Sequence, residues 1–309
     1  MSAYGIVNTI FRVSTRIFLP DLARQMEAEG TFQLDANPVG ALEEADYVRV
    51  EDNGADTTVF VFAGLDVLYA GMARFEFQKV LRAIGVEANF VYLRDCQRSG
   101  FFVRPDGEPG GSAFYEEVIN RIKGELGSRH HIALGSSIGG TSAIYFGVQC
   151  GFEHIVTFGA PFEFDVYTRP RRVFRSVFDI KKIFTEPMGY LEILLVTVTA
   201  GWAVRQILRR ADFDEFPDFV GLYRAASPRP AISAFYGATA WPDVEQAQYL
   251  AEFPEVHLRP VPTGRHNSPA FMKKHGTFAP SIAEEIQRYM EVPAPIQEPA
   301  PDAPRPSIA

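Results

Sequence analysis

Short runs of β-branched and aromatic residues alternate with longer amphipathic stretches between residues 47 and 290. Seven of these runs predict β-strands, at residues 47–50, 57–63, 89–93, 131–134, 155–158, 232–236 and 256–261. Several of them are continuously apolar instead of alternating, as is the stretch VFVFA at 59–63 within TTVFVFA. A continuous apolar run is typical of a strand in a parallel sheet that is buried on both faces.

Amphipathic segments between the runs predict helices, at residues 72–84, 112–126, 139–150, 244–252 and 280–290. Parallel strands need crossover connections of this kind, because a short turn joins only antiparallel neighbours. The pattern therefore predicts an α/β fold with a mostly parallel central sheet that is flanked by helices.

Residues 162–230 interrupt the alternation and are too hydrophobic for a simple loop. Within them, residues 169–184 place apolar side chains near helical spacing, interleaved with Arg and Lys. We interpret residues 162–230 as a helical lid inserted above the sheet. A second hypothesis is that the basic stretch makes peripheral contact with anionic lipid or with an acidic partner.

The two ends differ from the body of the chain. Residues 1–46 are interpreted as an N-terminal extension, residues 47–292 as the α/β domain, and residues 293–309, with six prolines among seventeen residues, as a disordered tail. The most hydrophobic stretch, residues 193–204, is shorter than the roughly 18 residues that a membrane span needs, so no transmembrane segment is predicted.

Composition narrows the choice of partner and compartment. Of 309 residues, 47% are hydrophobic, which is enough for a large core, and the net charge of −8 gives no overall attraction to nucleic acid. The two cysteines, Cys96 and Cys150, lack metal-ligand spacing and fit a reducing compartment, so we expect a cytoplasmic protein without a metal site. The Gly-rich runs lack the features of a phosphate cradle, and no cofactor is predicted.

The run HHIALGSSIGGTSAIYFG at 130–147 contains the pattern G-x-S-x-G, with Ser137 at its centre. An apolar strand leads into the pattern and a small-residue helix leaves it. In this context a sharp strand-to-helix turn exposes the serine hydroxyl, and the flanking glycines leave room for close backbone approach. The sequence therefore predicts that Ser137 is a nucleophile.

With this motif the chain resembles the α/β-hydrolase superfamily over most of residues 47–290, and in particular its esterase-like members with a G-x-S-x-G-G turn. That family places an acid and then a histidine after the serine, and here His266 follows the last predicted strand in PVPTGRHNSPAF. The resemblance implies that His266 is the general base. The other histidines lie at strand starts, within a strand or in an exposed turn.

The third member of the triad is less clearly marked. The family's usual pattern, Tyr-Gly-x-x-Asp, reads YGATA here, with alanine at position 240. Asp243 is the first candidate because it lies three residues further on. Glu163 and Asp165, after the preceding strand, are the alternatives, and a serine–histidine dyad without an acid is a further one.

The resemblance also implies an oxyanion hole made of two backbone N–H groups, those of Leu65 and Ile138. Arg94, Asp95 and Arg98 follow a predicted strand at the edge of the sheet where ligands approach, and are candidates for binding a polar part of the substrate. A structural Asp–Arg pair that braces the loop is the alternative interpretation.

These features predict a serine hydrolase, esterase-like or lipase-like, that acts on a small-molecule acyl ester. An acyltransferase that uses the same site and a catalytically inactive scaffold are the alternatives, since fold does not imply activity. The sequence leaves the oligomeric state open.

Overall fold

The computed structural model describes residues 42–64, 75–163, 207–211 and 217–290, together with Val13, Arg16, Phe184 and Tyr190. Its strands form one sheet in the order β1-β3-β2-β4-β5-β6-β7. They are β1 (Val48–Glu51), β2 (Thr57–Phe62), β3 (Asn89–Leu93), β4 (His130–Ser136), β5 (His154–Phe158), β6 (Ala231–Gly237) and β7 (Val256–Val261). Strand β1 pairs antiparallel with β3, and all other neighbours are parallel. The mostly parallel sheet is therefore confirmed, and each predicted run matches a strand to within two residues.

Helices cover both faces of the sheet. They are α1 (Glu44–Tyr47), α2 (Gln78–Ala83), α3 (Gly111–Leu126), α4 (Ile138–Gln149), α5 (Phe219–Ala225), α6 (Trp241–Leu250), α7 (Ser268–Lys274) and α8 (Phe278–Met290). The predicted helix at 72–84 begins only at Gln78, and its first residues, 72–74, lie outside the described residues. Helices α1 and α7 were missed by the sequence analysis, since each is too short to show a helical period.

Strand β2 explains why the predicted runs are continuously apolar. Phe60 and Phe62 pack into a core with residues of α3 and α4, whereas Val59 and Val61 pack into a second core with residues of α2 and α8. Successive side chains of a strand point to opposite faces, so a strand covered on both faces favours apolar residues at successive positions.

The insertion predicted at 162–230 lies mostly outside the described residues. Residues 207–211 are helical, and Ile207 and Ala211 pack beside Phe102 and Ile138. Of the basic stretch 169–184, only Phe184 is described, and its side chain is 80% exposed. The lid, the N-terminal extension, the Pro-rich tail and the domain limits stay predictions.

The search for a membrane span covered only the parts of the chain that are described. There, every helix is too short or too polar to cross a bilayer.

Candidate active site

Ser137 lies at a sharp turn between the end of β4 and the start of α4. Its backbone has φ 52° and ψ −128°, a conformation that residues with a side chain rarely adopt. Its N–H donates a hydrogen bond to the carbonyl of Phe158, the last residue of β5, at 2.8 Å. The strand–turn–helix context that the motif requires is thus present, and the neighbouring strand holds the turn.

The glycines on either side of Ser137 allow this turn to form. A Cβ atom at Gly135 would lie 2.2 Å from the carbonyl oxygen of Gly139, and one at Gly139 would lie 2.4 Å from the carbonyl oxygen of Phe62. Any side chain at these two positions would push the start of α4 away from β4 and β2. The spacing G-x-S-x-G is therefore a steric requirement of the close packing around Ser137.

His266 lies in the loop between β7 and α7, 93% buried, with its ring packed against Gly159. Its Nε2 atom is 3.2 Å from the Oγ atom of Ser137. The residue that follows, Asn267, caps α7 by accepting a hydrogen bond from the N–H of Ala270, which fixes the end of the loop. The start of α7 thus helps to set the position of the imidazole beside the serine hydroxyl.

Asp243 lies in the first turn of α6 and is 3% exposed. Its Oδ1 atom is 2.7 Å from Nδ1 of His266, and its Oδ2 atom accepts a hydrogen bond from the N–H of Gly237 at 3.1 Å. A carboxylate can only accept, so Nδ1 of His266 carries the proton and the Nε2 lone pair faces Ser137. Ser137, His266 and Asp243 thus form one continuous series of contacts.

The helix start explains how an acid three residues beyond Ala240 reaches the histidine. Helix α6 begins directly after Ala240, and Pro242 in its first turn has the backbone angle that a helix start favours. One helical turn carries the chain back toward the end of β6, so the carboxylate of Asp243 lies over the N–H of Gly237.

Of the two alternative acids, the structure describes Glu163. The backbone N–H and C=O of Glu163 both bind the side chain of Gln246, at 2.9 and 2.7 Å. Both ring nitrogens of His266 already face named partners, namely Ser137 and Asp243. Asp165 lies outside the described residues.

Of the two predicted oxyanion donors, the structure describes one. Ile138 is the first residue of α4 and is 3% exposed, and N–H groups at a helix start lack partners within the helix. Leu65 lies outside the described residues, which end at Gly64 on this side. Gly64 lies next to the serine turn, because a Cβ atom there would be 2.9 Å from the carbonyl oxygen of Ser136.

The loop after β3 is braced by Asp95. Its carboxylate accepts hydrogen bonds from the N–H groups of Gln97, Ser99 and Phe101. Burial raises the pKa of Asp95 above its ordinary value, although these N–H groups act in the opposite direction. Arg98 in the same loop is 7% exposed with φ 53°, and Arg94 is half-buried. Asp95 thus braces the loop through backbone N–H groups, and the Asp–Arg pair suggested by the sequence stays a prediction.

Two residues near the site were not found from the sequence. Gln246, one turn after Asp243, binds the backbone at Phe162 and Glu163, and Glu76 accepts a hydrogen bond from the N–H of Gly64 at 2.8 Å. The helical spacing of Gln246 from Asp243 was a usable signal. Glu76 gave none, because no predicted site residue lies at helical spacing from it.

No protein-family model and no curated protein matches the sequence. Solved structures do match the fold. MenH from S. aureus is 11% identical to this chain, with a TM-score of 0.52, and the match covers 79% of this chain and 99% of that one. A protein with unknown function from Staphylococcus aureus subsp. aureus Mu50 is 9% identical, with a TM-score of 0.51 and coverages of 79% and 93%. Identities this low show a shared fold alone.

Proposed function

We propose that this chain, which has the α/β-hydrolase fold, is a serine hydrolase that cleaves acyl esters. The observation that carries the proposal is the continuous series of contacts from the Ser137 hydroxyl through both nitrogens of His266 to the buried carboxylate of Asp243. A base within reach of the nucleophile, itself oriented by a third group, is the arrangement that activates a serine.

In the proposed reaction, Oγ of Ser137 attacks the acyl carbon while Nε2 of His266 takes the hydroxyl proton. The backbone N–H groups of Ile138 and Leu65 hold the oxyanion of the tetrahedral intermediate, and the carboxylate of Asp243 stabilises the imidazolium. The imidazolium then gives its proton to the leaving alcohol. Water, deprotonated by the same histidine, hydrolyses the acyl-enzyme and regenerates Ser137.

The residues that would contact the polar part of the substrate are less clearly indicated than the triad. Arg94 and Arg98 follow β3 at the edge of the sheet where ligands bind in open α/β folds, and are our candidates for contacting it. Asp95 would act indirectly, by holding the loop that carries Arg98.

Turnover of p-nitrophenyl esters from acetate to decanoate tests the proposal. We expect Ser137→Ala to lower kcat/KM by at least about 10³-fold. Ser281→Ala, on helix α8, is the matched control and should leave the rate unchanged. Equal turnover by wild type and Ser137→Ala would contradict the proposal. A folded wild-type protein that turns over none of the esters would favour the scaffold alternative, and product only in the presence of an added alcohol would favour acyl transfer.

A further inference from the structure

A glutamate lies beside the nucleophile turn without belonging to the proposed triad. The Oε2 atom of Glu76 accepts a hydrogen bond from the backbone N–H of Gly64 at 2.8 Å. Gly64 directly precedes Leu65, one of the two proposed oxyanion donors. We propose that Glu76 is a positioning residue for the oxyanion hole, which holds the Gly64 backbone beside the nucleophile turn, one residue before the proposed donor Leu65. This inference rests on the proposed function.

The backbone around Gly64 is held against the nucleophile turn on one side. A Cβ atom at Gly64 would lie 2.9 Å from the carbonyl oxygen of Ser136, and one at Gly139 would lie 2.7 Å from the carbonyl carbon of Ala63. The exit of β2 thus touches the residues on both sides of Ser137. A small rotation of the Gly64 peptide would change the geometry at the point where the proposed oxyanion forms.

Glu76 holds the same backbone through the N–H group of Gly64. The N–H of Ala63 donates to the carbonyl of Leu93 at 3.1 Å, so β-sheet pairing to β3 extends to Ala63. The next N–H, that of Gly64, has the Glu76 carboxylate as its acceptor. The carboxylate thus continues the restraint that the sheet provides one residue further.

The backbone next to Glu76 is strained, which makes its placement specific. Phe77 has φ 63°, in the left-handed region, although it is not a glycine. Its ring stacks on Phe158 at 6.0 Å and on Phe278 at 5.7 Å between ring centroids, and Phe75 is 6% exposed. A strained conformation costs on the order of 1–3 kcal/mol and persists only where the surroundings enforce it. The packing of Phe75 and Phe77 therefore fixes the short turn that directs Glu76 toward Gly64.

The bond needs only an acceptor at the end of the side chain. Glu76→Gln keeps an acceptor oxygen, whereas Glu76→Met has similar length and none. The oxyanion develops in the transition state, so misplacing its donor should lower kcat and leave KM nearly unchanged. Removing an oxyanion donor outright costs roughly 10²–10³-fold in kcat, and we expect a displaced donor to cost about 10- to 100-fold.

The experiment compares kcat and KM of wild type, Glu76→Met, Glu76→Ala and Glu76→Gln on one ester, with rates normalised to the folded fraction. Glu87→Ala, at an exposed position beyond α2, is the control. We expect kcat to fall at least about 10-fold in Glu76→Met and in Glu76→Ala, with KM within about three-fold, and Glu76→Gln to stay within about three-fold of wild type.

Two results would overturn the inference. One is wild-type kcat in the variants that lack an acceptor. The other is a Glu76→Gln variant as slow as Glu76→Met, which would show that the charge matters and the acceptor does not. If wild-type turnover does not depend on Ser137, the proposed function fails instead, so the two failures are distinguishable.

Discussion

The contacts of Asp243 lead to a specific expectation for Asp243→Asn. One carboxylate oxygen faces Nδ1 of His266 at 2.7 Å, and the other accepts from the N–H of Gly237 at 3.1 Å. An asparagine of the same shape has one acceptor and one donor group. Because Gly237 can only donate, the amide oxygen of the asparagine should turn toward Gly237 and its NH₂ group toward His266.

That orientation reverses the protonation of the imidazole. The NH₂ group donates to Nδ1, so the proton of the neutral ring moves to Nε2, and Nε2 can no longer accept the proton of Ser137. A wrong tautomer of this kind lowers kcat by about 10⁴-fold in a serine protease, which corresponds to about 5 kcal/mol. We expect a loss of about 10³- to 10⁴-fold here.

The assay is kcat on an activated ester for wild type, Asp243→Asn and the control Glu163→Gln, with thermal unfolding as a check of folding. Glu163→Gln should keep wild-type kcat, because the contacts of Glu163 with Gln246 are made by backbone groups, which the substitution retains. A loss below about 10-fold in Asp243→Asn would refute the tautomer argument. A large loss in Glu163→Gln would identify that residue as the acid.

Three further expectations concern stability. Ser137→Gly should be more stable than Ser137→Ala by about 1 kcal/mol in urea unfolding, because glycine relieves the strained backbone at φ 52° and alanine does not. Gln246→Leu should lower the free energy of unfolding by about 2 kcal/mol in the same assay, because it removes the acceptor of one buried and one half-buried N–H group. Burial lowers the pKa of His131 from its ordinary 6.5 to about 4. The unfolded chain therefore binds a proton in that pH window that the folded chain does not, and wild type should lose up to about 3 kcal/mol of stability as the pH falls through it. His131→Phe should lose less over the same window, and an unchanged slope would contradict the assignment.

The sheet could be predicted because burial on both faces leaves a plain signal. In β2, the side chains from Val59 to Phe62 enter opposite cores in turn, and this part of the run is apolar at every position. The serine turn was equally visible, since the two glycines that its close packing requires, Gly135 and Gly139, lie within five residues of sequence. A pattern confined to one short segment can be recognised from the sequence alone.

The acid was harder to predict because it depends on where a helix begins. The sequence offered Asp243 beside two alternatives, and only the position of α6 shows its carboxylate between Gly237 and His266. Glu76 was missed for a related reason. Its partner is the N–H of Gly64, and every non-proline residue has such a group.

The most direct test of the central claim is labelling with a fluorophosphonate, which reacts with activated serines whatever their natural substrate. We expect one labelled site in the wild-type protein, mapped by mass spectrometry to the peptide that contains Ser137. Labelling should be absent in Ser137→Ala and strongly slowed in His266→Ala. Label on another residue, or undiminished labelling of Ser137→Ala, would contradict the account.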